Sequence, residues 1–391
     1  MKNILYNFLP IGGGGGLQNA LSFLQNLPDP QSSTILVRKN SSLEVLGNSI
    51  GTKVLKAPNT PLKRIIFEIN AKKLAQEYSI IFSIFGTPFL NSHPYFLNIN
   101  GFAVSNLLYP EIDFWKFCSR SERIKHEIID FYRRKMYRQA DFWIFETDIL
   151  RQRAVDLFQF PEAHTAVVKM APSSLVSPQK IELELCAEFE KKIGTGKFRF
   201  LFLNGANPNK RIHLLPSLAK TLYNQGVTDF IFITTLPLQH SYTLAVKRHF
   251  YDINMQNHWC NIGPVAQSHV ASLIACSDVM CTFSVLESFS NNFVEAWKMS
   301  KPLIVTNSDW AKASCKGSAL YLDPEQTDAA AEILKMVYNQ PGLRQRMILA
   351  GEKILKEYPT SMAKNQYYLE AIKKACELGK LSQAERKKIT L

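Results

Sequence analysis

Short apolar runs alternate along this chain with stretches whose hydrophobic positions recur every three to four residues. That alternation predicts parallel sheets with helices between their strands. In the first half, strands are expected at 3–9, 33–39, 79–86, 96–101, 141–147 and 165–170, with helices at 17–26, 62–77, 119–140 and 148–158. The prolines and serines of APSSLVSPQK, residues 171–180, break the pattern and read as a linker. A second series follows, with strands at 198–205, 229–235, 259–263, 278–283, 302–308 and 319–323. Helical stretches at 211–225, 240–254, 267–275, 291–300, 326–339 and 341–357 separate and follow them. The expected layout is α/β, with an N-terminal Rossmann-like domain over 1–172 and a C-terminal one over 173–365. A helical tail over 366–391 is expected to pack back towards the first domain. A crevice between the two halves is where a ligand is expected.

Composition narrows this picture. A chain of 391 residues is long for one core, and 46% hydrophobic with 20% charged residues marks a folded protein. No apolar run reaches the roughly 18–20 residues a bilayer span needs; YSIIFSIFGTPFL (78–90) is interrupted by Gly86 and Pro88. The opening MKNILYNFLP reads as a first strand, without the long apolar region of a secretion signal. Seven cysteines are scattered without a CxxC pair, which suggests a reducing cytoplasm, and Cys276 and Cys281 fall in an expected buried strand. No D-x-D and no His/Asp/Glu cluster has ligand spacing, so neither a metal nor a cofactor is expected.

A net charge of +13 calls for an anionic partner. No recognised nucleic-acid module is present, which moves lipid headgroups and nucleotide phosphates ahead of nucleic acid. Residues 116–138 hold eight Lys or Arg against three acids, and Ile124, Ile128, Tyr132, Met136 and Ala140 recur every fourth position. Either that stripe packs on the first sheet beneath a solvated basic face, or the basic face meets an anionic membrane.

The chemistry concentrates in FSVLESFSNNFVEAWKMSKPLIVTNSD, residues 283–309. A strand gives way to a turn there, and Asn292 stands three residues before Glu295, a capping-box spacing. The helix is expected to start near Asn291 or Asn292, with its free N–H groups at the carboxyl end of the sheet, where anions bind. Glu287 and Glu295 then need another task. Carboxylates accept hydrogen bonds from vicinal hydroxyls, and a nucleotide sugar presents ribose, two phosphates and a sugar in sequence.

This run resembles the E-x7-E signature of retaining GT-B glycosyltransferases of family 4. The likeness continues through NIGPVAQSHVASLIACSDVMCTF upstream and GSALYLDPEQTDAAAEILKMVYNQPGLRQRMILAGEKI downstream. INGFAVSNLLYPE and ADFWIFETDILRQRAVDLF look like segments of bacterial polysaccharide-assembly members. The resemblance implies that Glu295 holds the ribose and Glu287 a donor-sugar hydroxyl. Ser288, Phe289, Ser290 and Asn291 would offer backbone N–H groups, and Val265 and Gly205 would also border the nucleotide sugar. Lys210 would neutralise the departing diphosphate. The family's arginine is missing because Ala206 follows Gly205, leaving Arg211 or another cation as its substitute. Ser300 stands where a glycine is common.

Gly12 to Gly16 follow an expected strand but lack the dinucleotide fingerprint. Either the run is a flexible turn or, by the resemblance, Gly14, Gly15 and Gly16 let the backbone approach donor phosphate or acceptor across the cleft. Asn100 and Gly101 fall on the acceptor or sugar side. His93 sits too early in the sequence for the histidine that the family places near the donor sugar, and reads as a loop residue. Retention through a short-lived ion pair would need no protein base. The implied protein is a cytoplasmic enzyme, peripheral at the inner face of the cell membrane, that builds surface polysaccharide such as lipopolysaccharide or capsule on a lipid-linked glycan. A nucleotide-sugar epimerase and a non-catalytic sugar-nucleotide-binding partner are the alternatives.

Overall fold

The computed structural model describes residues 3–58, 60, 63, 66–68, 73, 74, 76–88 and 95–391. Most of the helix expected at 62–77, and His93, lie outside them. The chain forms two compact units, one of Met1–Asp113, Ser119–Met170 and Pro359–Leu391, the other of Phe114–Cys118 and Ala171–Tyr358. Each is Rossmann-like, with a parallel sheet between helices.

The first unit has seven strands: β1 (Ile4–Asn7), β2 (Thr34–Arg38), β3 (Lys53–Ala57), β4 (Ile80–Ser83), β5 (Leu97–Gly101), β6 (Phe142–Phe145) and β7 (Thr165–Val167). Their order is β3-β2-β1-β4-β5-β6-β7. The central strands are apolar on both faces, as strands covered by helices must be. Aromatic side chains dominate the packing around β6, where Trp143 stacks on Phe160 at 3.9 Å and Phe102 meets Tyr137 at 4.4 Å between centroids.

The second unit has six strands: β8 (Phe198–Phe202), β9 (Phe230–Thr234), β10 (Trp259–Asn261), β11 (Val279–Thr282), β12 (Leu303–Thr306) and β13 (Leu320–Leu322). They run in the order β10-β9-β8-β11-β12-β13. Phe200, Phe202, Phe232 and Phe283 are fully buried at its centre. In both sheets the chain builds outward, then crosses back to pair with its starting strand, β1 with β4 and β8 with β11. Such a reversal opens a crevice beyond the carboxyl ends of the two strands.

Three sequence expectations change. The first helix begins at Gly14, so Gly14, Gly15 and Gly16 form its first turn instead of a loop before it. The helix after β11 starts at Asn291 with Ser290 as N-cap and no side-chain capping bond. Asn292 is therefore not the cap. Its amide donates to Leu203 O at 3.2 Å and Thr282 Oγ1 at 3.1 Å, fastening the first turn to the sheet. The third concerns the helix Arg120–Tyr137 and its apolar stripe: Ile124, Ile128 and Tyr132 are exposed, and only Met136, half-buried, and Ala140, buried, are covered.

Candidate active site

In the second unit the segment after β8 and the segment after β11 are stitched together at the reversal. Val285 N donates to Asn209 O at 2.9 Å, and Asn209 Nδ2 donates to Leu286 O at 3.0 Å. The turn Pro208–Lys210 is held by Asn207, whose side chain accepts from Asn209 N at 2.9 Å. This stitching brings Lys210 Nζ to 2.9 Å from Glu287 Oε1. Ser284 Oγ donates to the same oxygen at 2.6 Å. Both members of the ion pair are only partly covered, so the pair is accessible to a ligand.

Arg211 does something else. Its backbone is left-handed, φ 54°, and its side chain is buried. Nε donates to Phe283 O at 2.6 Å, one terminal nitrogen reaches Asp323 and Glu325, and the other Ser284 O and Thr306 Oγ1. Five acceptors match the five N–H donors of a guanidinium. Arg211 therefore has no N–H left for a phosphate, against the expectation that it replaces the missing arginine; it braces the two segments that carry Lys210 and Glu287.

Glu295 lies one turn into the helix Asn291–Lys298 and is buried. Its Oε1 has no hydrogen-bond partner. Burial pushes its carboxyl up to about 7, against the nearby Gln267 amide and the charge of Lys298. A buried carboxyl with a spare acceptor suits a ligand that brings hydroxyl donors. Ser290 and Phe289 are buried at the helix entrance, with Phe289 packed against Phe293 and Tyr358, and Ser288 is half-buried. Asn291 opens the helix. Val265 is half-buried in the segment after β10, two residues beyond Gly263 with φ 86°.

One residue the sequence reading passed over belongs to the same strand end. Asn204 is 6% exposed, yet neither Nδ2 nor Oδ1 has a partner. Its backbone is fixed by Thr235, which accepts from Asn204 N at 3.1 Å and donates to Asn204 O at 3.2 Å. Beside it, among the described residues, nothing lies within 4 Å of the space a Gly205 side chain would occupy. A buried amide with both atoms unmatched, next to open space, is unfavourable without a ligand or water. The signal was present as an asparagine ending the apolar run FLFL.

In the first unit Gly14 has φ 61°, and nothing among the described residues lies within 4 Å of its Cβ position. A cavity of about 140 Å³ adjoins this segment, bordered by Gly12, Arg38, Ser41 and Ser42. Asn100 Nδ2 donates to Gly86 O at 3.1 Å, whereas its buried Oδ1 is unmatched. Gly101 is required by packing, since a Cβ there would lie 1.7 Å from Ile84 O. Among the described residues, no group of three or more His, Cys, Asp and Glu could hold a metal ion.

With this geometry in view, residues 187–354 match the family described as Glycosyl transferases group 1. The match covers most of the second unit. The matched span includes Lys210, Glu287 and Glu295. No curated protein sequence matches the chain. Solved structures extend the likeness to the whole fold. A glycosyltransferase from Rickettsia africae aligns with a TM-score of 0.75 at 14% identity, over 97% of this chain and 99% of that one. HepE from Anabaena, solved with UDP and glucose, aligns at 0.71 and 15% identity, over 95% and 100% of the two chains. Sucrose-phosphate synthase from Thermosynechococcus elongatus aligns at 0.69 and 12% identity, over 97% and 100%. The matched span thus lies in a chain whose two Rossmann-like units have the GT-B fold.

Proposed function

We propose that this protein transfers a sugar from a nucleoside diphosphate sugar to a glycan acceptor, with retention at the transferred carbon, as in family 4. The observation that carries the reading is the accessible Lys210–Glu287 pair within the group 1 span, on segments stitched together beside the helix Asn291–Lys298. The fold shared with HepE supports a nucleotide-sugar donor.

The parts of the site divide the donor among them. The entrance of that helix, from Ser288 to Asn291, offers N–H groups to the phosphates and sugar. Glu295 accepts from the ribose hydroxyls, and Glu287 from a hydroxyl of the donor sugar. Lys210 stabilises the diphosphate as negative charge develops on it. Asn204 takes over part of the missing arginine's work as a neutral ligand, Nδ2 donating to a phosphate oxygen and Oδ1 accepting from ribose. The bond from the sugar carbon to the phosphate oxygen breaks first, and the leaving phosphate takes the acceptor hydroxyl's proton as the new bond forms. No protein base is required.

In the first unit, Asn100 and Gly101 are assigned to the acceptor or sugar, and the glycine turn of Gly14 to Gly16 to donor phosphate or acceptor. The acceptor is a lipid-linked glycan of surface polysaccharide synthesis, met at the inner face of the cell membrane. Incubation with UDP-, GDP-, ADP- and dTDP-sugars, with and without lipid-linked acceptor, tests the reading by product analysis. A transferase makes a longer glycan and free nucleoside diphosphate. Interconversion of nucleotide sugars without acceptor would instead identify an epimerase.

A further inference from the structure

The helix Arg120–Tyr137 carries its apolar stripe on the outside. Ile124, Ile128, Phe131 and Tyr132 are 52%, 54%, 53% and 59% exposed. Of the whole helix, only Asp130 and Tyr137 are buried. At 3.6 residues per turn, the four exposed side chains fall within an arc of about 100°, centred opposite Asp130 and Tyr137. Lys135 lies inside that arc, Arg120 and Arg134 on one flank and Lys125 on the other. Lys135 Nζ stands 4.6 Å from the centre of the Phe131 ring.

The acids of this helix are already engaged. Asp130 holds Arg133 at 2.8 Å, Glu127 holds Arg123 at 3.0 Å, and Glu122 closes a capping box with Ser119. Among the described residues, no ion pair engages Arg120, Lys125, Arg134 or Lys135. Exposed apolar side chains elsewhere on a protein need no explanation when they are scattered singly. Four on one arc, fringed by unpaired cations, do need one.

We propose that this face docks on an anionic lipid bilayer, with Ile124, Ile128, Phe131 and Tyr132 entering the headgroup boundary and the flanking cations meeting lipid phosphates. Charge decides among the occupants. A second copy placed face to face would oppose one basic fringe with another, in a chain whose net charge is already +13. A nucleic acid would answer the cations and leave the four apolar side chains without a partner. An anionic bilayer answers both at once. The inference deepens the lipid-linked acceptor reading and rests on it for its purpose alone, because lipid binding is measured with no donor present.

The test is co-sedimentation of the full chain with phosphatidylcholine vesicles, with and without phosphatidylglycerol, at low and high salt. The parent protein is expected to pellet with the anionic vesicles, less so at high salt and little with phosphatidylcholine alone. Ile128→Glu and Phe131→Glu should each lower the bound fraction about tenfold with unchanged melting temperature. Lys125→Glu with Lys135→Glu should weaken binding and flatten its salt dependence. Leu244→Glu, at an exposed site on a different helix, should leave binding intact. The proposal is overturned if the parent ignores anionic vesicles, or if Ile128→Glu and Phe131→Glu still bind as the parent does. It is also overturned if Ile128→Glu dissociates a dimer of a parent that binds no vesicles, which would assign the face to a second copy.

Discussion

Both units turn from a strand of their reversal pair into a helix, and the two turns are furnished differently. In the first unit β1 leads to a helix opened by glycines, with no acidic residue in its first turn and a left-handed Gly14. At neighbouring strand ends Asn7 donates to Ser83 Oγ at 2.8 Å, Asn100 to Gly86 O, and the charged Arg38 from Nε to Leu9 O at 2.9 Å. In the second unit β11 leads to a helix flanked by the Lys210–Glu287 pair, the braced Arg211 and the buried Glu295. The same topology thus yields one turn that exposes backbone and another that concentrates ionisable groups. The turn that carries Lys210 suits a group that leaves with negative charge. The difference between the two turns lies in their side chains and not in the fold.

Substitutions can break that comparison, and the largest effect is expected at Lys210. Lys210→Ala should lower turnover by about a hundredfold or more, the scale of losing one charge-stabilising group. It should also weaken nucleoside diphosphate binding more than Glu287→Ala does; equal losses would contradict the split between phosphate and sugar. Asn204→Asp is next. It would place a second negative charge against the phosphates, so UDP affinity should fall about tenfold while uridine affinity changes far less. Equal effects on the two ligands would remove Asn204 from the phosphate.

The mildest test is pH. In the proposed role of Glu295, ribose hydroxyls would donate to its ionised form, and its carboxyl in the free protein is pushed up to about 7. Binding then favours proton loss, so nucleotide affinity should rise about tenfold between roughly pH 6 and pH 8 and level off above. Stability of the free protein runs the other way. The fold retains a proton that the unfolded chain releases near the ordinary carboxylate value, so stability should decline from there up to about pH 7. Glu295→Gln should flatten both profiles.

Much of the fold was legible because buried parallel strands read as continuous apolar runs, as in FRFLF and FIFIT. β3 was missed for the converse reason. KVLKA is an edge strand, with Lys53 exposed and its middle only half-buried, so it lacks such a run. The short helices Ser42–Ser49 and Asp309–Cys315 are too brief for a periodic signal. The stripe of Arg120–Tyr137 was seen, but a period does not say which face turns inward; Asp130, bonded to Arg133 and Asn106, takes the inner side. Within the site, residue types and spacing pointed to Glu287 and Glu295, and the family resemblance to Lys210. What they could not convey was that the donors of Arg211 are occupied by partners 72 to 114 residues away, or that Asn204 stands buried and unmatched, since neither is encoded in local spacing.

The central claim is that the second unit binds a nucleoside diphosphate beside Lys210 and the helix Asn291–Lys298. Titration calorimetry with UDP, GDP, ADP and dTDP tests it most directly. At least one of them should bind the parent protein, and that affinity should drop at least tenfold in Lys210→Ala with the melting temperature of the free protein unchanged. No heat from any of the four, or binding that Lys210→Ala leaves intact, would contradict the account.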